Sequence, residues 1–125
     1  MPHTWVGSDF INAMRALFVY ENDYDTTLVV GAGLYQDWID APKGMSVENL
    51  PTYYGELSYS VKKENSAYTV KLYGKVKLPK GGIILKNFNG KKLPKSISVN
   101  GKNIFDFTND KIVVREFPAT IVINY

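Results

Sequence analysis

Cysteine is absent from this 125-residue chain, and histidine occurs once, as His3. Without cysteine there is no disulfide framework, no thiolate metal site and no cysteine nucleophile, so stability must come from packing. A single histidine excludes a histidine-rich metal site within one chain. The sequence also lacks a run of about 18 apolar residues and a basic-then-apolar leader. We therefore expect no cofactor, no bound metal, no membrane partner and no secretion signal in this chain.

Positive charge is scarce at the start of the chain and abundant later. Up to Val61 there are two basic and eight acidic residues, whereas from Lys62 onward there are thirteen basic and four acidic residues. We expect these lysines to cover solvent-facing and edge strands, where they prevent sheets from pairing with each other. Interleaved lysines without arginine forks argue against base-specific contacts, so we predict no nucleic-acid partner. The alternative, a basic surface for an acidic polymer, predicts affinity that falls steeply with salt.

One segment near the start follows the 3.6-residue period of an amphipathic helix. Ser8 is a candidate cap, and Asp9 stands in the first turn, where the helix dipole favours a negative charge. A helix of about a dozen residues is marginal alone in water, so its apolar face must be buried. That face should fold back on the rest of the chain or pair with a second copy, giving a homodimer. Its apolar residues are Phe10, Ile11, Met14, Leu17 and Phe18.

The remainder of the chain alternates apolar and polar residues with the period of β-strands. In residues 53–62, the residues predicted to face inward are Tyr53, Leu57, Tyr59 and Val61. Residues 67–74 repeat the pattern, which predicts an antiparallel hairpin, and Asn100-Gly101 predicts a second one with a type I′ turn. About eight or nine strands spaced by roughly 8 to 12 residues predict a mainly β fold. The predicted architecture is an antiparallel β-sandwich preceded by one N-terminal amphipathic helix, in a chain of single-domain length.

No motif in the sequence predicts a catalytic residue. Residues 31–36, GAGLYQ, share two glycines with a dinucleotide-binding loop, but Gln36 stands in place of the third. Glu56, Asp37 and Asp40 are the nearest candidates for the two carboxylates of a glycosidase. Glu56 is expected on the solvent face of a strand, where a carboxylate is a poor acid catalyst at neutral pH. We interpret these acids as surface charges.

Aromatic side chains are the candidates for binding a sugar, because sugars stack on aromatic rings. Tyrosine and tryptophan are also common in strands, where they fill cores with their polar tip at the rim. Both interpretations remain open from the sequence. The residues that we predict as carbohydrate contacts are His3, Trp5, Trp38, Tyr53 and Tyr54.

Several segments together resemble a known group of enzymes. The segments are PHTWVGSDFINAMRALFVYE, LVVGAGLYQDWI, NLPTYYGELSYSV and ISVNGK, in this order. They look like the C-terminal end of bacterial six-hairpin glycosidases of the rhamnosidase-like group, in which the last helix of an (α/α)₆ barrel leads into a β-sandwich. Thr52, Tyr54, Gly55 and Leu57 match a T-x-Y-G-x-L/I segment of that group.

The resemblance implies that residues 1–22 are the final helix of a truncated barrel and residues 23–125 a C-terminal β-sandwich domain. The chain would then be a non-catalytic accessory domain that packs on the catalytic barrel of its parent. That parent is expected to be a bacterial periplasmic or extracellular enzyme, and oligo- or polysaccharide is the expected ligand. His3 and Trp5, at the start of the helix, would lie near the mouth of the barrel. The alternative is a stand-alone carbohydrate-binding module, and the residues do not name the sugar.

Overall fold

The computed structural model describes residues 18–22, 26–31, 40, 43–86 and 92–125. Every regular element in these ranges is a strand, which confirms the prediction of a mainly β fold. Of the predicted helical segment 1–22, residues 1–17 lie outside the described residues. The ten strands are Val19–Asn22 (β1), Thr27–Val30 (β2), Met45–Thr52 (β3), Gly55–Glu64 (β4), Ala67–Val76 (β5), Ile83–Lys86 (β6), Ser96–Val99 (β7), Lys102–Ile104 (β8), Lys111–Val114 (β9) and Ala119–Asn124 (β10).

The strands form two sheets. The six-stranded sheet has the order β3-β4-β5-β10-β7-β8, and all its pairings are antiparallel. The four-stranded sheet has the order β1-β2-β6-β9, and its β2 and β6 are parallel. This pair corrects the expectation of antiparallel pairing throughout. The chain forms β3, β4 and β5 in the other sheet before it returns as β6, and so long a connection can bring a strand back in the same direction.

Both sheets contribute to one hydrophobic core. In β4 the buried apolar residues are Leu57, Tyr59 and Val61, as their alternation predicts. Because successive side chains of a strand point to opposite faces, one face of each sheet supplies the core. The opposite face of the four-stranded sheet carries an apolar row, Tyr20, Val29, Ile84 and Val113. The core residues of the four-stranded sheet are Val19, Leu28, Val30, Ile83, Leu85, Ile112 and Val114.

The sequence predicts two hairpins, and both are present. Strands β4 and β5 pair from Gly55 opposite Val76 to Glu64 opposite Ala67. Strands β7 and β8 are joined by Asn100 and Gly101, with φ angles of 52° and 85°. A type I′ turn requires positive φ at both central positions, so asparagine and glycine fit this turn.

The first strand lies partly where the sequence predicts a helix. The predicted helical segment extends to residue 22, but Val19–Asn22 forms β1 and pairs with β2 from Val19 opposite Val30. Val19 is fully buried. A β-branched residue followed by tyrosine favours a strand. Backbone pairing with β2 stabilises the strand conformation of these residues. The apolar positions of the helical period end at Phe18, so β1 comprises the last four residues of the segment 1–22 that the sequence assigns to the helix.

The alternation predicted for residues 53–62 begins two residues later than expected. Tyr53 and Tyr54 form the turn between β3 and β4. Tyr53, predicted to face inward, is 73% exposed, whereas Tyr54, predicted to face outward, packs against the core. A turn interrupts the period of two, so the assignment of faces holds only from Gly55 onward.

Candidate functional site

The structure describes two of the five predicted carbohydrate contacts. These are Tyr53 and Tyr54, and of this pair only Tyr53 presents a largely exposed ring. Tyr54 packs against the core, so its ring contributes to folding. The other three, His3, Trp5 and Trp38, lie outside the described residues.

The turn that carries Tyr53 is held by a network of hydrogen bonds. The Tyr53 backbone N–H donates to the Glu21 carboxylate at 2.8 Å, which ties the turn to β1 of the other sheet. The Thr52 hydroxyl donates to the Gly55 carbonyl at 2.6 Å and accepts from the Tyr54 N–H at 3.1 Å. Local side-chain bonds of this type fix a turn without a regular ladder. Tyr53 is therefore presented from a fixed backbone.

The segment from Thr52 to Leu57, on which the resemblance partly depends, has a structural explanation in this chain. Gly55 has a φ of 127°, and a Cβ atom there would collide with the carbonyl oxygen of Lys75. Thr52 closes the turn, and Leu57 is fully buried in the core. Each matching position thus serves the turn or the core of this fold.

A second set of contacts fixes the point at which the chain enters the described fold. The carbonyl oxygen of Phe18 accepts one hydrogen bond from the Tyr59 hydroxyl at 2.8 Å and another from the Gly31 N–H at 2.9 Å. Val19, the next residue, is fully buried. Burial raises the pKa of Tyr59 far above its usual range, so its hydroxyl stays protonated and remains a donor. We call Phe18, Val19, Gly31 and Tyr59 the entry junction.

The carboxylates considered for catalysis are not brought together. Glu56 is exposed on β4 and lies opposite Lys75. Asp40 accepts a hydrogen bond from the hydroxyl of Tyr68 at 2.9 Å, and Tyr68 lies opposite Lys63, at the other end of β4. Along β4, Glu56 and Lys63 are seven residues apart, which is about 23 Å. Glu56 and Asp40 are therefore much farther apart than the roughly 5–10 Å that separates the two carboxylates of a glycosidase. Asp37 lies outside the described residues.

The part of the chain that the structure describes has no clustered metal ligands and no membrane-spanning helix. No group of three or more histidine, aspartate or glutamate side chains is arranged there to hold a metal ion. No helix in these residues is long and apolar enough to cross a membrane.

The outer face of β3, β4 and β5 and the turn before β3 carry a groove of about 600 Å³, whose lining also includes the apolar residues Met45 and Val61. Its side chains include three lysines, three hydroxyl residues and one carboxylate, Glu64. We call it the lysine groove, and its lysines and hydroxyl residues are Lys43, Lys62, Lys71, Ser46, Ser60 and Thr69. Lys62 contacts the Glu64 carboxylate at 3.5 Å. This arrangement can donate charge-assisted hydrogen bonds to an anion and accept hydrogen bonds from hydroxyl groups.

The sequence patterns do not predict the lysine groove. They predict only that lysines protect exposed strands from pairing, which requires no particular arrangement of the lysines. The available signal was the hairpin register, because Ser60 lies opposite Lys71 and Lys62 opposite Thr69. Lys43 and Ser46 could not be placed beside them, because the pairing of β3 shifts between Val47 and Leu50.

A second groove, of about 360 Å³, lies between the edge strands β8 and β9. It is mainly apolar, and its lining includes Ile104, Val113 and Phe105, which is 86% exposed. Arg115 and Asp106 form an exposed ion pair at 3.2 Å beside it. Nothing in the described residues indicates what would cover this groove.

Comparisons of the chain with protein-family models, with curated proteins and with solved structures found no match. The resemblance to six-hairpin glycosidases therefore stays an expectation from the sequence. Function has to be inferred from the turn at Tyr53, the entry junction and the lysine groove.

Proposed function

We propose that this chain is the non-catalytic C-terminal accessory domain of a bacterial glycoside hydrolase. In this proposal the two sheets form a β-sandwich that packs on and stabilises an (α/α)₆ catalytic barrel absent from this chain. The observation that carries the proposal is the entry junction. It supports a domain that is joined rigidly to whatever precedes residue 18.

Rigidity at the junction follows from its contacts. The Phe18 carbonyl has two donors, Tyr59 on β4 of the six-stranded sheet and Gly31, which directly follows β2 of the four-stranded sheet. Val19 fills a core position immediately afterwards. A helix that precedes Phe18 would therefore be held at a fixed angle to the two sheets. The last helix of a barrel needs such a fixed angle if the sandwich is to pack against the neighbouring barrel helices. A module that acts independently is more commonly joined by a linker rich in glycine, serine or proline.

One further observation and one prediction from the sequence support a non-catalytic role. Glu56 and Asp40 lie too far apart for glycoside hydrolysis, as described above. The predicted apolar face that contains Phe10 and Met14 also needs a cover, which a barrel would provide. When this chain is isolated, the same face is expected to pair with a second copy, which gives a homodimer through the N-terminal helix.

The proposal is tested first in the genome. We expect the reading frame upstream of Pro2 to encode several hundred residues of helical repeats. The parent enzyme would then be produced as the wild type, as Tyr59→Phe and as the exposed control Tyr73→Phe. Loosening of the junction in Tyr59→Phe should lower the melting temperature of the barrel, whereas Tyr73→Phe should leave it unchanged.

Two results would overturn the accessory-domain proposal. One is an upstream frame without helical repeats. The other is glycosidase turnover by the pure chain that disappears in Glu56→Gln.

The alternative is a stand-alone carbohydrate-binding module, which the exposed ring of Tyr53 favours. It predicts a change in tryptophan fluorescence when oligosaccharide is added. The change should disappear in Trp38→Ala, and the affinity should fall in Tyr53→Ala. Tyr20→Ala is a suitable control, since Tyr20 is also exposed but is not among the predicted sugar contacts.

A further inference from the structure

We propose that the lysine groove binds an anionic saccharide, a sugar chain that carries acidic groups beside free hydroxyls. The proposal uses only residues on the outer face of β3, β4 and β5 together with Lys43, in the turn before β3. It is therefore independent of the accessory-domain proposal, and either can fail without the other.

The strand register places the groove side chains in two neighbouring rows. Ser46 lies opposite Ser60, and Ser60 lies opposite Lys71. The next row contains Lys62 opposite Thr69. Adjacent strands are about 4.8 Å apart and alternate residues about 6.7 Å apart, so the Cα atoms of Lys62 and Lys71 are separated by about 8 Å. Each ammonium group is thus flanked by hydroxyl side chains.

The charge of the groove is only partly neutralised. Lys62 is paired with Glu64, but both side chains are more than half exposed, at 54% and 63%. An exposed ion pair of this kind contributes little to the stability of the fold, so it can separate when a ligand binds. In the described part of the chain no ion pair is formed by Lys43 or Lys71. The groove therefore presents an excess of positive charge on a concave surface, which concentrates anions.

The side-chain chemistry favours a saccharide over a nucleic acid. Single-stranded nucleic acids are bound through aromatic stacking, and base edges are read best by arginine forks. The lining of the lysine groove contains no aromatic ring and no arginine. Glu64 can accept hydrogen bonds from sugar hydroxyls, which an anionic saccharide carries in greater number for each charge than a nucleic-acid strand does. Ser46, Ser60 and Thr69 can both donate and accept such bonds.

The test measures binding by calorimetry with the full chain and four probes. The probes are an oligogalacturonate, a neutral galactose oligomer of equal length, a sulfated galactose oligomer and a single-stranded RNA. We expect an anionic saccharide to bind, the neutral oligomer to bind at least about tenfold more weakly, and affinity to fall as salt rises. The two anionic sugars distinguish a carboxylate from a sulfate as the source of charge.

Matched variants locate the site. Lys43→Gln/Lys71→Gln should weaken binding by about tenfold or more, a loss of about 1.4 kcal/mol. Lys95→Gln/Lys111→Gln removes the same charge from exposed positions outside the groove and should change affinity less than about twofold. Unfolding curves of both variants check that the fold is intact. Equal losses in the two variants, equal binding of the neutral oligomer, tighter binding of RNA, or no binding of either anionic sugar at low salt would each overturn the proposal.

Discussion

The hydroxyl of Tyr59 donates a hydrogen bond to the carbonyl oxygen of Phe18 at 2.8 Å, across 41 positions of sequence. The bond joins β4 of one sheet to the residue that leads into β1 of the other. The ring of Tyr59 is itself fully buried. One side chain thus fills the core and also fixes the start of the described fold.

Removing this hydroxyl tests its contribution to stability. Tyr59→Phe should lower the free energy of unfolding by about 1 kcal/mol, because the Phe18 carbonyl keeps its second donor, the N–H of Gly31. Urea denaturation measures the change. The control Tyr73→Phe removes a hydroxyl from a ring that is 39% exposed, and it should change stability by less than about 0.5 kcal/mol. Equal effects in the two variants would argue against a special role for the Phe18 contact.

Tyr59 should also shape stability at high pH. Burial raises its pKa in the folded state, whereas in the unfolded chain its pKa is near 10. Its contribution is complete below about pH 10 and is lost above it, because only the unfolded chain then releases the proton. Stability should therefore fall above about pH 10 by up to about 1.4 kcal/mol for each pH unit from this group.

The difference between the wild type and Tyr59→Phe isolates that contribution, since the two proteins share every other titratable group. Urea midpoints measured from pH 8 to pH 11 should converge as pH rises. If the urea midpoints of the two proteins instead differ by a constant amount over this pH range, Tyr59 ionises as easily in the folded state as in the unfolded chain.

Gly55 should tolerate no side chain. Its φ of 127° disfavours other residues, and a Cβ atom would collide with the Lys75 carbonyl oxygen. Gly55→Ala should therefore cost at least about 3 kcal/mol. Gly101 is the matched control, because it also has positive φ but a Cβ atom there would meet no other atom within 4 Å. Gly101→Ala should cost only about 1 kcal/mol, and a larger loss there than at Gly55 would contradict the steric argument.

Asn100 combines a turn conformation with three side-chain hydrogen bonds. Its Oδ1 accepts from the Thr120 N–H at 2.8 Å, and its Nδ2 donates to the Pro118 carbonyl at 3.2 Å and to the exposed Glu116 carboxylate at 3.5 Å. Asn100→Gly keeps the turn but loses these bonds, which should cost about 1 kcal/mol. Asn100→Ala adds the strain of positive φ and should cost about 2 kcal/mol. In thermal denaturation, Asn100→Gly should have a higher melting temperature than Asn100→Ala. The reverse order would show that backbone strain is unimportant at this position.

Local patterns of the sequence predict most of the strands. The period of two finds the inward residues of β4 and β5, and Asn100-Gly101 marks a real turn. The patterns fail where a distant partner decides the outcome. Val19 belongs to a strand because β2 lies beside it, and the parallel β2–β6 pair depends on a crossover between sheets. No local signal contains either fact.

The candidate sites were harder to predict for the same reason. A set of aromatic residues taken from the sequence cannot separate exposed Tyr53 from Tyr54, which packs on the core, because a turn interrupts the alternation between them. The lysine groove needs three strands in register, and a shift in β3 hides that register. Sequence periodicity gives faces of single strands, whereas a binding surface is a property of several strands together.

The position of β10 has a consequence for how the protein is made. This strand lies between β5 and β7 and joins two hairpins that otherwise share no ladder. Ile121 pairs with Val70 on one side and with Val99 on the other. During synthesis, residues 119–124 must therefore emerge from the ribosome before the six-stranded sheet can be completed. Until then both hairpins expose edges that can pair with other nascent chains.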